Sequence, residues 1–404
     1  MNRARAVVEL LAVVLVTGLA VAPGPATAPA VADNGLARTP PMGWNSWNAY
    51  GCDIDQDKIR AAVDALVTTG MREAGYRYVA IDDCWQADAR TDTGALRADP
   101  TRFPDGIKAL ADHAHAVGLD LGLYATPGTR TCANIYAGYP GRLGSLGHER
   151  QDAATFAAWG VDYLKYDWCL AEQDGVDPQA GFTLMRDALA ATGRPVVYSV
   201  HRQPQQPVDR WRPAVANLWR TTGDISADWG SVLDVLDRQV GLERYSRPGA
   251  WNDPDMLEVG NGPLTLAEDR AQFSLWALLN APLLAGNDLT TMPESVRAVL
   301  TNPEVIAVDQ DWAGTQGYRV FDDGDHEIWR KPLSGGDSAV VLLNRGTSAA
   351  TVTATAEQLG FPGVTGFGLH DLWTGQTTTT RAGTISVSVP PHGVVFYRVS
   401  PDRG

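Results

Sequence analysis

The chain has 404 residues, enough for one barrel-sized domain and a smaller companion, and carries a formal net charge of -14. Its 47 Asp and Glu against 33 Lys and Arg count against nucleic acid and anionic membrane surfaces as partners, since both recruit basic patches. Beyond one N-terminal run, no segment is long and apolar enough to span a bilayer.

That run extends from Leu10 to Ala22, follows Arg3 and Arg5, and precedes Ala30-Val31-Ala32, a small-x-small cleavage site. Residues 1–32 therefore read as a secretory signal peptide, and the expected location is extracellular. Cys52, Cys84, Cys132 and Cys169 all follow the leader. An even number of cysteines in an oxidising compartment suggests two disulfides, with three connectivities open from spacing alone. Neither a Cys-x-x-Cys nor a His-x-x-x-His pair accompanies them, so no metal site is expected.

From Pro41 onward, short apolar strands alternate with amphipathic helices, the βαβα pattern of a parallel sheet or barrel. Strands are predicted at Met42–Asn45, Tyr78–Asp82, Leu119–Tyr124, Tyr163–Asp167, Pro195–Ser199, Ala216–Arg220, Ala250–Asn252 and Pro282–Ala285. Helices are predicted at Gln56–Thr69, Gly106–Val117, Ala153–Trp159, Ala180–Thr192 and Leu266–Leu279. In the first helix Ile59, Ala62, Val63 and Leu66 recur at i, i+3, i+4 and i+7, one apolar face. Eight such units suit a (β/α)8 TIM barrel over residues 33–315. An open doubly wound sheet is the alternative, but no Gly-x-Gly-x-x-Gly turn follows the first strand. After Gln310-Asp311-Trp312 the pattern changes to short strands, Ala339–Leu343, Thr351–Thr355, Thr384–Val389 and Gly393–Val399, separated by turn residues. Residues 316–404 therefore read as a C-terminal antiparallel β-sandwich, a structural cap more than a lectin module.

The predicted barrel strands end in residues that a plain core does not need. Trp44, Asp82, Asp83, Tyr124, Lys165, Asp167, Arg220 and Asp255 all fall at strand ends or just beyond, and Asp224 follows Arg220 by four residues. A barrel brings these ends to one rim. Carboxylates and cations that bind hydroxyl groups, beside aromatic faces that pack on C–H surfaces, suit a sugar. Trp44 is read as a pocket wall and Trp47 as barrel-floor packing. Two carboxylates from different strands fit glycoside cleavage, with Asp167 as nucleophile and Asp224 as acid/base. Lys165, two residues before Asp167 on the same strand face, would keep it ionised. A divalent-metal barrel is the competing reading of Asp82, Asp83, Asp167 and Asp255, but Lys165 and Arg220 already balance that charge.

The ordered motifs Leu36-Ala37-Arg38-Thr39-Pro40-Pro41-Met42-Gly43-Trp44, Ile81-Asp82-Asp83-Cys84-Trp85, Lys165-Tyr166-Asp167-Trp168-Cys169 and Trp251-Asn252-Asp253-Pro254-Asp255-Met256-Leu257 resemble glycoside hydrolase family 27. This is the α-galactosidase and α-N-acetylgalactosaminidase family, and the resemblance runs across the whole predicted barrel. It implies a retaining exo-α-galactosidase that needs no metal or organic cofactor and takes a terminal galactoside or related pyranoside. It places Trp44, Asp82, Asp83, Tyr124, Lys165 and Arg220 around the sugar, with Asp82-Asp83 at the C4/C6 end. It also implies the disulfides Cys52–Cys84 and Cys132–Cys169. One departure stands out: His201, within Tyr198-Ser199-Val200-His201-Arg202-Gln203-Pro204, occupies the position of a family glutamate near the sugar 2-hydroxyl. That change leaves β-L-arabinopyranosidase or α-N-acetylgalactosaminidase activity as alternatives. A binding protein with a retired active site is the rival from another class, and the retained Asp167 and Asp224 speak against it.

Overall fold

The computed structural model describes residues 34–202 and 210–402, so the leader 1–32 and Gln203-Pro204 lie outside the described residues. Eight strands form a parallel sheet: β1 (Met42–Asn45), β2 (Tyr78–Ala80), β3 (Asp120–Ala125), β4 (Tyr163–Asp167), β5 (Val197–His201), β6 (Leu218–Arg220), β7 (Trp251–Asp253) and β8 (Leu283–Ala285). Their order is β7-β6-β5-β4-β3-β2-β1-β8. A parallel bridge, Leu257↔Ala285, joins the segment just after β7 to β8 and closes the ring into a (β/α)8 barrel. Strands so enclosed are covered by helices outside and by one another inside. That explains why Leu121, Leu123, Leu164, Tyr166, Tyr198 and Val200 are all buried.

The helix Gln56–Thr68 begins where the Asp55 carboxylate accepts from the Lys58 amide at 2.8 Å, and it buries Ile59, Ala62, Val63 and Leu66. The helix Glu149–Trp159 starts four residues before its predicted beginning. Its first turn buries Glu149 and Asp152, which do not read as an apolar face; Arg90 neutralises Asp152 at 2.6 Å.

Eight further strands follow: β9 (Tyr318–Asp322), β10 (His326–Pro332), β11 (Ser338–Asn344), β12 (Ala350–Thr355), β13 (Phe367–Asp371), β14 (Thr377–Thr380), β15 (Thr384–Val389) and β16 (Gly393–Pro401). They make a six-stranded antiparallel sheet, β14-β13-β16-β11-β10-β9, and a two-stranded one, β12-β15. In β11 the alternation of side chains is hidden, because both faces are apolar. Val340 and Leu342 point into the sandwich core, while Ala339, Val341 and Leu343 join the barrel's cluster. The helix Leu266–Leu278 packs against β11 and β16, which accounts for its burial on nearly every side. Charge reinforces this joint: Arg319 and Arg345 hold the buried Glu327 at 2.7 and 2.6 Å and also reach Asp237 of the barrel helix Trp229–Asp237.

Candidate active site

The barrel's carboxyl-end rim encloses a cavity of about 820 Å³ lined by Asp82, Asp83, Tyr124, Lys165, Asp167, His201, Arg220, Asp224 and Asp255. Sequence separation between them reaches well over a hundred residues; parallel strand direction alone brings them to one end.

After β2 the chain turns sharply, with the Asp82 amide donating to Ser46 Oγ at 3.0 Å. Asp82 Oδ2 accepts from Asn45 Nδ2 and from Lys165 Nζ, each at 2.8 Å. Asp83 is fixed by the amides of Cys84 at 2.7 Å and Ala133 at 2.8 Å. Burial pushes the Asp83 carboxyl up to about 6, against the pull of those two amides and with help from the Asp82 charge. Cys84, which follows, takes φ +72° and is tied to Cys52; the second disulfide joins Cys132 to Cys169, next to Asp167 and Trp168.

Lys165 and Asp167 sit on one face of β4. Burial would lower the Lys165 ammonium, but Asp82 and Asp167 outweigh it and hold it above its ordinary value. Asp167 is buried, and its Oδ1 accepts from the Trp168 amide at 2.7 Å while Oδ2 accepts from the Tyr124 hydroxyl at 3.2 Å. Burial alone would raise its carboxyl. His201 first, then Lys165 and Arg220, hold it well below the usual carboxylate range. Lys165 thus does act on Asp167, but behind His201.

His201 differs from its expected setting. Strand β5 continues two residues past the predicted Ser199, so His201 belongs to the sheet, directly opposite Asp167 in register. Its side chain is 8 % exposed; Nδ1 lies 3.0 Å from Asp167 Oδ1, out of line for a hydrogen bond, and Nε2 lies 3.6 Å from Asp224 Oδ1. Asp224 stands on the loop after β6 with its side chain 70 % exposed. Burial raises its carboxyl, whereas Arg220, His201 and Lys165 pull it lower overall, an effect that water screens at such exposure. Arg220 reaches Asp224 at 3.2 Å and Asp255 at 2.7 Å. Asp255, at φ +86°, also accepts from the amides of Ile225 and Met256, each at 2.8 Å, so it serves its turn and the pocket together.

The two tryptophans exchange their expected places. Trp44 has no exposed surface, and its indole N–H donates to the Asn287 carbonyl at 2.8 Å behind the cavity wall. Trp47 opens the short helix after β1 and lines the cavity. The reason is the step from strand to helix, which turns Trp44 toward β8 and leaves Trp47 at the rim. Sequence reading also passed over Tyr136 and Trp168, which complete the aromatic lining. Trp168 was marked by its place next to Asp167; Tyr136 lies in a five-residue helix, Cys132–Tyr136, with no periodicity to reveal it. Cys132, Asp167 and Cys169 lie close enough to suggest a metal cluster, but their sulfurs form one disulfide and offer no thiolate.

A barrel whose strand ends gather opposed carboxylates, buried cations and aromatic faces around one cavity has the architecture of a glycoside hydrolase. Family models agree over both parts of the chain: one described as "Alpha galactosidase A" matches residues 39–311, and one described as "Alpha galactosidase C-terminal beta sandwich domain" matches residues 323–399. The chain belongs to glycoside hydrolase family 27 and is an enzyme of the α-galactosidase type. It is 45% identical to the alpha-galactosidase A of Cellvibrio japonicus over 388 residues, covering 91% of this chain and 93% of that one. Among solved structures, alpha-galactosidase I from Mortierella vinacea superposes with a TM-score of 0.86 at 37% identity, covering 92% of this chain and 99% of that one. The Saccharomyces cerevisiae α-galactosidase with raffinose gives a TM-score of 0.85 at 30% identity, covering 92% of this chain and 100% of that one.

Proposed function

We propose that this protein is an exported, retaining exo-α-galactosidase that removes terminal α-D-galactosyl groups by double displacement. The observation that carries this reading is the meeting of Asp167 and Asp224 across one cavity, close enough for a single imidazole to contact both. Asp167, held ionised, attacks the anomeric carbon while Asp224 gives its proton to the departing oxygen. In the second half, Asp224 takes a proton from water, whose oxygen displaces Asp167 from the sugar. Asp82, Lys165 and Asp83 offer a dense set of charged hydrogen-bonding groups for the C4 and C6 hydroxyls, and the C4 configuration is what separates galactose from glucose. The raffinose bound to the yeast enzyme supports a galactoside substrate here. Export is supported by the leader at residues 1–32 and by the two disulfides. A division at residues 315 and 316 leaves the site wholly in the barrel.

Proton NMR of the first product released from an aryl α-galactoside tests the mechanism. Retention delivers the α anomer before mutarotation; initial β-galactose would refute it. Asp167→Asn and Asp224→Asn should each abolish or sharply reduce turnover, and wild-type rates in either would remove that residue from the chemistry.

A further inference from the structure

Among the described residues, His201 presents its two ring nitrogens to the two carboxylates separately, Nδ1 toward Asp167 at 3.0 Å and Nε2 toward Asp224 at 3.6 Å. Strand pairing fixes this placement: His201 is the β5 partner of Asp167, and its ring is buried below the cavity surface. Nδ1 makes no aligned hydrogen bond, so the contact with Asp167 is one of charge and position more than of direction. The charged groups around the ring come from every neighbouring element: Asp167 and Lys165 from β4, Arg202 beside it, Arg220 from β6, Asp224 from the following loop and Asp253 from β7.

We propose that His201 is a positioning residue of the catalytic pair, a charged bridge that sets the pH window in which Asp167 is ionised while Asp224 keeps its proton, and not a ligand of the sugar 2-hydroxyl. This rests on the reading of Asp167 and Asp224 as the reacting pair. As an imidazolium, the ring stabilises negative charge on both carboxylates. It thereby favours the nucleophile's reactive form and makes Asp224 a stronger acid toward the leaving oxygen. The downward influence of His201 on both carboxyl groups agrees with this geometry.

The test is the pH profile of kcat/KM for His201→Gln, which keeps a hydrogen-bonding side chain and removes the charge. Its acid limb reports Asp167 and its alkaline limb reports Asp224, as apparent values of the coupled group. Loss of the cation weakens both acids, so both limbs should move to higher pH by about one unit, the lower end of what an adjacent opposite charge produces. An unmoved profile with a raised KM would make His201 a sugar ligand and overturn the proposal. Should the variant fail to fold, His201→Asn supplies the same comparison. The bridge requires both limbs to move to higher pH in it as well, and an unmoved profile overturns it. Failure of the underlying reading is separable: it would show as turnover surviving Asp167→Asn and Asp224→Asn.

Discussion

Replacing Lys165 by Met isolates the ion pair at the floor of the cavity. The ammonium and the Asp82 carboxylate are 2.8 Å apart, with side chains only 16% and 3% exposed. At an effective dielectric constant of about 20, two charges this close attract by about 6 kcal/mol, and stranding one member of such a buried pair costs about 3–5 kcal/mol in practice. Asp82 would still accept from Asn45 and from the Asp83 amide, which places the loss at the lower end, about 3 kcal/mol. For a chain of this size that is about 4 °C in melting temperature. Activity should fall as well, because the variant removes one of the cations that keep Asp167 ionised and, on the proposed reading, a donor to the sugar. Differential scanning fluorimetry and initial rates on nitrophenyl α-galactoside measure the two effects. A Lys165→Met protein that melts within about a degree of wild type and turns over normally would refute the reasoning.

The remaining expectations concern acidity, the second disulfide and the glycone. Burial raises Glu258 from 4.5 to about 7, so its protonated form is favoured in the folded state. The resulting stabilisation is complete below the unfolded value and is lost as pH climbs through 7, a change of about 3 kcal/mol. Glu258→Gln should therefore gain stability relative to wild type between pH 5 and pH 8; parallel melting curves at the two pH values would rule this out. Replacing Cys132 and Cys169 together by Ser opens a loop with a sequence separation of 37, worth about 4 kcal/mol in chain entropy. The double variant should melt lower and lose activity, since Cys132 and Cys169 flank the Tyr124 hydroxyl and Asp167; unchanged kinetics would mean the bridge does not brace the site. Nitrophenyl α-galactoside should be cleaved faster than nitrophenyl β-L-arabinopyranoside, because Asp82, Asp83 and Lys165 crowd one end of the pocket; initial rates favouring the arabinoside would reverse the assignment.

Local pattern carried a great deal of this protein. The alternation of apolar strands and amphipathic helices located all eight barrel strands, and Met42–Asn45 and Tyr163–Asp167 coincide with their predicted bounds. Such runs are legible because a parallel strand buried on both faces must be apolar throughout, and a charge at its end breaks the run visibly. The same breaks marked Asp82, Lys165, Asp167 and Arg220. In the second domain Phe367–Asp371 escaped notice: its glycine and histidine blur the period of two, and its pairing with β16 supplies what local propensity lacks.

Tertiary structure decided what the side chains at those ends touch. The sequence determined that His201 follows an apolar run; only strand register set it beside Asp167 and carried β5 two residues further. It determined that two tryptophans flank Asn45 and Ser46; only the turn from strand into helix sent Trp44 behind the wall and Trp47 to the rim. The four cysteines were evident, but their pairing required the coming together of β2 with the loop after β1, and of β4 with the loop after β3. Periodicity records which face of an element is apolar. Distances among charges depend on how separate elements pack, and that geometry exists only in the assembled barrel.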